Sequence, residues 1–186
     1  MKNVLIISGH PDLNNSLANI TILEEVAKSL PEVHIRRLDE LYPTYQFDIA
    51  AEQQSLLNAD LIIWQFPFSW YSVPGLMKLW IDQVFVHGFS HGSHSQLGGK
   101  KLLLSFTTGA PEVAYSSTGV FKHTIEDYLP QFETTAALCN LKLVDSIYSH
   151  GVSYSGRDDE KKRADQLNTA RNHAIRLIEA IRTITA

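Results

Sequence analysis

Three segments of the chain carry side chains that could bind a ligand, and each follows directly after an apolar run. They are SGHPDLNNS (8–16), PFSWYSVP (67–74) and TTGAPEVAYSSTG (107–119). The first offers hydroxyl, amide and imidazole groups, the second offers aromatic rings, and the third offers hydroxyls beside a glycine. Polar donors of this kind suit an anion, and aromatic rings suit a flat ligand.

The first segment has the composition of an anion site at the start of a helix. Asn14, Asn15 and Ser16 are typical N-cap residues, and the backbone N–H groups that follow have no acceptor within the helix. These N–H groups belong to Ser16, Leu17, Ala18 and Asn19. His10 could add a donor from the strand end. A plain helix cap, with His10 in solvent, explains the same residues, and this loop alone leaves both interpretations open.

The second segment places large rings where a polar turn is the usual finding. Its candidate ligand-binding residues are Pro67, Phe68, Ser69, Trp70 and Tyr71. Ordinary core packing is the alternative, because aromatic side chains bury large areas wherever they fall. We assign Trp64 and Phe66 to the core and residues 68–71 to the ligand, and Pro74 begins the next helix.

The third segment begins with Thr107, Thr108 and Gly109, which supply two hydroxyls and a position that permits close backbone approach. A plain turn explains glycine and proline here equally well. Taken together, the three segments outline a ligand with a phosphate at one end and a flat polar ring system at the other. Flavin mononucleotide (FMN) has this shape.

Short apolar runs alternate with helix-like segments along the chain. The pattern predicts strands at 3–8, 33–38, 60–66, 101–107 and 142–149. It predicts helices at 15–30, 49–59 and 74–85, one between the last two strands, and one from near Asp158 towards Ile184. Such alternation indicates an α/β fold: one flavodoxin-like domain over 1–186, with a doubly wound five-stranded parallel sheet of order 2-1-3-4-5 and helices on both faces. Ligands bind such sheets beyond the carboxyl ends of the strands, which is where the three segments lie.

The composition excludes several classes of protein. The formal charge of −4 argues against a nucleic-acid partner, and a single cysteine excludes an intrachain disulfide. No apolar run is long enough to span a bilayer and no signal peptide is evident, so a cytoplasmic protein is expected. His87, His91 and His94 could bind zinc, but their loop has no cysteine or nearby acid to complete the ligand set. We therefore expect no metal and interpret this stretch as an exposed loop.

The chain resembles a known family over nearly its whole length, and four stretches carry the resemblance most specifically. They are SGHPDLNNSLAN (8–19), LYPTYQFDIAAEQ (41–53), DLIIWQFPFSWYSVPGLMKLWIDQVFVHGF (60–89) and TTG (107–109). They resemble the flavodoxin-like NAD(P)H:quinone oxidoreductases, and within that family the ancillary flavoproteins of glutathione-gated potassium efflux systems. The third stretch is the most specific of the four.

The resemblance implies FMN as cofactor, NADH or NADPH as hydride donor, a quinone as acceptor, and a homodimer whose subunits share the active site. It implies that the FMN phosphate lies on His10, Ser16, Leu17, Ala18 and Asn19. The flavin ring would lie along Pro67, Phe68, Ser69, Trp70 and Tyr71, with Thr107, Thr108 and Gly109 on its other side. Tyr115 matches the family's tyrosine that polarises the quinone. His123 resembles its histidine partner, although its spacing from Tyr115 differs from that in the family.

The chain also departs from the family pattern, and alternatives to quinone reduction stay open. Ala110 stands where many relatives have a second glycine, and Pro111 follows it. No C-terminal extension like that of the FAD-binding relatives is evident, so FMN is expected rather than FAD. The resemblance also allows a regulatory subunit that docks peripherally on a potassium efflux antiporter at the inner face of the membrane. Reduction of azo or nitroaromatic compounds would use the same hydride.

Overall fold

The computed structural model describes residues 2–155 and 157–186. Five parallel strands form one sheet in the order β2-β1-β3-β4-β5, which confirms the predicted order. The strands are β1 (Val4–Ser8), β2 (His34–Arg37), β3 (Leu61–Pro67), β4 (Lys101–Thr107) and β5 (Lys142–Ser149). Because β1 pairs with both β2 and β3, the direction of winding reverses beside β1.

Helices cover both faces of the sheet. They are α1 (Ala18–Ser29), α2 (Leu38–Leu41), α3 (Ile49–Asn58), α4 (Gly75–Val84), α5 (Pro130–Leu138) and α6 (Glu160–Thr185). Alternate residues of a strand point to opposite faces, so Ile6 packs in the core beneath α1 and α6, while Ile7 packs in the core beneath α3, α4 and α5. In the described part of the chain, no helix has both the length and the apolar composition needed to cross a bilayer.

The start of α1 differs from the sequence prediction and shapes the first ligand loop. Residues Leu13–Asn15 form a short 3-10 turn, so the helix begins at Ala18 rather than at residue 15. Ser16 performs the capping, since its Oγ accepts the backbone N–H of Asn19 at 3.1 Å. The N-terminal end of α1 therefore points at the carboxyl end of β1.

A buried carboxylate connects helix α3 to its neighbouring elements. Glu52 is fully buried, and its Oε1 accepts the phenol of Tyr42 at 2.6 Å and Nε of Arg36 at 2.8 Å. Its Oε2 accepts the indole N–H of Trp80 at 3.0 Å. A buried charge is tolerated when it is paired and hydrogen-bonded in this way, so Glu52 joins α3 to β2 and α4.

Candidate functional site

A cleft of about 240 Å³ lies beyond the carboxyl ends of β1, β3 and β4. Its walls include most of the residues predicted from the sequence: His10, Ser16, Leu17, Ala18, Asn19, Pro67, Phe68, Ser69, Thr107 and Gly109. The structure thus brings the three candidate segments together at the point where the strand order reverses, as the switch-point rule predicts.

Hydrogen-bond donors concentrate at the end of the cleft beside α1. The backbone N–H groups of Leu17 and Ala18 belong to the first turn of the helix and have no intrahelical acceptor. His10 is 2% exposed, and its Nδ1 accepts the backbone N–H of Asp12 at 3.1 Å. Burial lowers the pKa of His10, with Asp39 and Asp12 opposing that effect, so the neutral ring carries its proton on Nε2. This end of the cleft suits an anion.

Asn19 connects the helix to the two central strands beneath the cleft. Its amide oxygen accepts Nε2 of Gln65 at 2.6 Å, and its amide nitrogen donates to Oγ1 of Thr107 at 3.1 Å. Both partners are buried, so each bond satisfies a group that would otherwise be costly to bury. These hydrogen bonds fix the position of the first turn of α1 relative to β3 and β4.

The other end of the cleft is bounded by the loops after β3 and β4. The N–H of Phe68 donates to the carbonyl of Thr107 at 2.8 Å, and the N–H of Thr108 donates to the carbonyl of Ser149 at 2.8 Å. These bonds tie the loops after β3, β4 and β5 to one another. Gly109 lines the cleft without a side chain, which lets a ligand reach the backbone. Thr108 is buried beneath this loop rather than in the cleft wall.

Trp70 and Tyr71 lie outside the cleft walls. Both adopt left-handed backbone conformations, with φ of 50° and 65°, in a tight turn closed by the N–H of Ser72 and the carbonyl of Ser69 at 3.0 Å. The side chain of Trp70 is 93% exposed, and the ring of Tyr71 stacks on Tyr128 with centroids 5.4 Å apart. Of the predicted aromatic residues, Phe68 alone contributes to the cleft wall.

The sequence reasoning missed the residues that close the cleft, because they come from the loop after β5 and from α6. They are Val152, Ser153, Tyr154, Arg157 and Gln166. The guanidinium of Arg157 lies 3.8 Å above the ring centroid of Tyr154, and its Nη1 donates to the carbonyl of Asn15 at 2.6 Å. The serine-rich and glycine-rich run YSHGVSYSG before Arg157 was the available signal.

Two buried polar atoms at this cleft lack a partner within the described residues. They are Nε of Arg157, a donor, and Oε1 of Gln166, an acceptor. The amide nitrogen of Gln166 donates to the carbonyl of Ser153 at 2.9 Å, and its oxygen is the atom that has no partner. Unsatisfied buried groups are rare in native proteins, and at a cleft they indicate a ligand that completes them.

Tyr115 lies in a cluster of rings in the loop after β4, which bounds one end of the cleft. Its ring is half-buried, with centroids 4.9 Å from Phe121 and 6.3 Å from Tyr128. Burial raises the pKa of the Tyr115 phenol, and a hydrogen bond with the Thr108 side chain opposes this rise. His123 is exposed and contacts Tyr128 and Asp127, the latter at 3.6 Å from its Nδ1, rather than Tyr115.

The histidine-rich loop has no cation site in the part of the chain that the structure describes. The rings of His87 and His91 meet edge to face at 5.6 Å, and Nδ1 of His91 pairs with Oγ of Ser90 at 2.9 Å. Across residues 2–155 and 157–186, no group of three or more His, Cys, Asp or Glu side chains is arranged to hold a metal ion. His94 is exposed in the same loop.

This sheet order, with a cleft at the reversal of the strands, is that of the flavodoxin-like proteins. Residues 2–174 match the sequence profile of Flavodoxin_2, a family described by its flavodoxin-like fold. The chain belongs to this family.

Solved structures extend the comparison. General stress protein 14 of Treponema denticola, in complex with FMN, is 29% identical over 96% of this chain and 98% of that chain, with a TM-score of 0.84. A thermophilic tryptophan halogenase from Streptomycin violaceusniger is 29% identical over 91% of this chain and 97% of that chain, with a TM-score of 0.80. An NADPH-quinone reductase from P. pentosaceus is 26% identical over 94% and 98% of the two chains, with a TM-score of 0.73.

Proposed function

We propose that this protein is an FMN-dependent NAD(P)H:quinone oxidoreductase that transfers a hydride from NAD(P)H through the flavin to a quinone. One observation carries the proposal: a single cleft is lined both by the start of α1, at Leu17 and Ala18, and by the loop at Pro67–Ser69. The similarity to an FMN complex and to an NADPH-quinone reductase supports it, and it supports the broader class of flavin-dependent oxidoreductase more strongly than the choice of acceptor.

The donors at the anion end fit the phosphate of FMN. The N–H groups of Leu17 and Ala18 would bind it together with Nε2–H of His10 and the guanidinium of Arg157, whose Nε has no other partner in the described residues. Phosphate binding at a helix N-terminus combines such orphan donors with the helix dipole. Ser16 would lie beneath the phosphate, since its hydroxyl already caps Asn19.

The residues at the other end of the cleft fit the isoalloxazine ring. The backbone of Pro67, Phe68 and Ser69 would run along one edge of the ring, and Thr107 and Gly109 would bound the other. The carbonyl of Ala110, where many relatives have a second glycine, accepts both the Thr108 hydroxyl at 2.9 Å and the N–H of Gly151 at 2.9 Å. This residue therefore braces the loop instead of facing the flavin.

Bound FMN would accept a hydride from NADH or NADPH and pass it to the acceptor. The protein would bind and orient both partners over the exposed ring face. The phenol of Tyr115 would donate a hydrogen bond to the quinone oxygen that gains charge, and its raised pKa keeps it protonated for that role. The resemblance gives the second donor as His123, whose ring is exposed and lies against Tyr128.

A second copy of the chain is the proposed partner. Trp70, Val113 and Val120 are 93%, 75% and 77% exposed, and all three lie in the two loops, after β3 and β4, that bound one end of the cleft. Large exposed apolar side chains grouped beside a site are typical of a protein interface. A homodimer that covers these residues would enclose the acceptor site, as the family resemblance implies.

Anaerobic half-reactions test the proposed function. The protein loaded with FMN is mixed with NADH or NADPH, and then with a quinone, an azo dye or a nitroaromatic compound in parallel. Fastest reoxidation by the quinone, slowed in Tyr115→Phe, is the expected result. Faster reoxidation by the azo dye or the nitroaromatic compound would show that this compound, and not the quinone, is the preferred acceptor. Bound flavin that neither nicotinamide nucleotide reduces would favour the regulatory role at a potassium efflux antiporter.

A further inference from the structure

The phenol of Tyr154 meets the imidazole of His10 at the cleft. The phenol oxygen lies 3.3 Å from Nε2 of His10, and both residues line the cleft. Tyr154 belongs to the loop after β5 and His10 to the loop after β1, so the contact joins two loops that are distant in sequence. His10 is buried, whereas Tyr154 is 61% exposed, so the tyrosine is the more accessible of the two to a ligand.

The positions of the protons in this contact follow from a neighbouring hydrogen bond. Nδ1 of His10 accepts the backbone N–H of Asp12 at 3.1 Å, so Nδ1 carries no proton. An imidazole ring carries at least one proton, which must therefore be on Nε2. Nε2–H donates to the phenol oxygen of Tyr154, and the phenol cannot return its own proton to a nitrogen that is already protonated. The phenol proton is therefore available to another acceptor.

Arg157 makes the phenol a better donor to an anion. Its guanidinium carbon lies 3.8 Å from the ring centroid of Tyr154, so a positive charge faces the ring. This charge stabilises the negative charge that the phenol oxygen gains when its proton is donated to an anion. The bond that the phenol accepts from His10 acts in the same direction, because hydrogen bonds in a chain polarise one another. Both contacts favour an anionic acceptor for the phenol proton.

A phosphate at the start of α1 is the acceptor that fits. Leu17 and Ala18 line the same cleft, and their backbone N–H groups have no intrahelical acceptor. The cleft thus combines these N–H groups, the phenol proton and the charge of Arg157. A phosphate monoester accepts hydrogen bonds on three oxygens and carries negative charge, so one group satisfies all of these donors.

We propose that the Tyr154 hydroxyl donates a hydrogen bond to the phosphate of the ligand, and that His10 acts on this phosphate through the Tyr154 hydroxyl. The second part refines the direct contact from Nε2–H of His10, because that proton is donated to the phenol while Tyr154 is in place. The identity of the phosphate ligand as FMN rests on the proposed function. The chain of donors from Asp12 through His10 to Tyr154 does not, because it depends on contacts within this protein alone.

Binding of FMN and of riboflavin tests the role of the hydroxyl. Tyr154→Phe keeps the ring that Arg157 faces and removes only the hydroxyl. The dissociation constant of FMN should rise about tenfold, because a hydrogen bond to a charged group is lost. The dissociation constant of riboflavin, which has no phosphate, should change by no more than about twofold. Tyr45→Phe removes the hydroxyl of another exposed tyrosine and should change neither constant.

A double-variant cycle tests whether His10 acts through Tyr154. His10→Leu removes the donor to the phenol and should raise the dissociation constant of FMN about threefold or more. The same change made together with Tyr154→Phe should have a smaller effect, because the path is already broken. His10→Gln keeps an N–H donor near the position of Nε2 and should retain more of the affinity than His10→Leu.

NMR of the flavin-free protein tests the proton positions independently of the cofactor. With 15N-labelled histidine in the full chain, we expect the proton of His10 on Nε2 both in the unchanged protein and in Tyr154→Phe. The resonance of this proton should shift in Tyr154→Phe, because its acceptor is lost. Added inorganic phosphate should also shift this resonance in the unchanged protein, and should shift it less in Tyr154→Phe.

Three results would overturn the role of the hydroxyl: a proton on Nδ1 of His10, an unchanged dissociation constant of FMN in Tyr154→Phe, or equal losses of FMN and riboflavin affinity in that variant. Additive losses in the double-variant cycle would overturn the part assigned to His10. A protein that binds no FMN, but whose Nε2–H resonance responds to inorganic phosphate only when the Tyr154 hydroxyl is present, would refute the proposed function and leave the phosphate contact standing.

Discussion

The phenol oxygen of Tyr154 lies 3.3 Å from Nε2 of His10, although 144 residues separate them in the chain. Arg157 stacks on the Tyr154 ring and reaches across to the carbonyl of Asn15. The loop after β5 thus covers the anion end of a cleft whose floor comes from β1 and α1. We call Tyr154 and Arg157 together the clasp, and it adds a cation to the neutral donors of the proposed phosphate site.

Removal of the Arg157 side chain is expected to weaken the binding of FMN, which has a phosphate, but not that of riboflavin, which has none. Arg157→Ala should raise the dissociation constant of FMN about 10- to 100-fold, because a hydrogen bond to a charged group is worth roughly 1.5–3 kcal/mol. Riboflavin has the same ring and no phosphate, so its affinity should change by no more than about twofold. Quenching of flavin fluorescence measures both constants.

Lys161→Ala is the control for this prediction, since Lys161 is an exposed cation at the start of α6. Its removal tests whether net charge alone accounts for the loss. Equal losses of FMN and riboflavin affinity in Arg157→Ala would place Arg157 in packing rather than at the phosphate.

Gly9 predicts a steric cost at the base of the same site. A Cβ added at Gly9 would lie 2.7 Å from Cβ of Met77. This contact is too close, so the backbone at Gly9 or the helix α4 would have to move. Gly9→Ala should lower the free energy of unfolding by about 1–3 kcal/mol through this steric clash. It should also weaken FMN binding, because a shift of the backbone at Gly9 would displace the neighbouring His10. Urea unfolding measures the first effect. Gly75→Ala is the matched control, since an added Cβ there meets no atom within 4 Å.

The buried His173 is expected to make the free energy of unfolding fall at acidic pH. It is fully buried between Ser105, 2.9 Å from Nε2, and Ser149, 3.0 Å from Nδ1, and burial together with Arg176 lowers its pKa from 6.5 to about 3. The unfolded chain takes up the proton near pH 6.5, while the folded chain does so only near pH 3. Its contribution to stability should therefore be lost as the pH falls through this window, by up to about 1.4 kcal/mol per unit.

Urea unfolding at a series of pH values checks this. His173→Gln should flatten the dependence between pH 6.5 and pH 3, while lowering stability at neutral pH through the lost hydrogen bonds. His94→Gln, at an exposed position, should leave the slope as it is. An unchanged slope in His173→Gln would show that other groups cause the acid sensitivity.

Replacement of Trp70 by glycine is expected to have opposite effects on the stability of the fold and on dimer association. Its backbone is left-handed, which costs a non-glycine residue about 1 kcal/mol or more, and its ring is exposed. Trp70→Gly should therefore leave the free energy of unfolding unchanged or raise it by up to about 1 kcal/mol. The dimer dissociation constant should rise at least about tenfold through the lost ring. Sedimentation velocity and urea unfolding measure the two quantities.

Tyr45→Gly is the comparison for Trp70→Gly. Tyr45 also has a left-handed backbone, with φ of 60°, and it belongs to the loop between α2 and α3 instead of the two loops that carry the exposed apolar residues. It should share the effect on stability and leave association unchanged. Association that survives Trp70→Gly intact would remove this ring from the proposed interface.

The sequence was informative wherever the signal is local. The apolar runs predicted all five strands, and the polar residues at 14–16 predicted a capped helix start nearby, where Ser16 accepts the N–H of Asn19. The orientation of Trp70 was not predictable, since left-handed φ values at two consecutive non-glycine residues follow from the turn and not from residue type. The clasp was missed because Tyr154 and Arg157 reach the cleft from the loop after β5, a strand that the switch-point rule does not single out.

The most direct test of the central claim is an anaerobic absorbance titration of the purified protein. We expect the protein to bind FMN at one per chain, NADH or NADPH to remove the visible absorbance of the bound flavin, and a quinone to restore it without oxygen. A protein that binds no FMN, or one whose flavin absorbance neither nucleotide removes, would contradict the account.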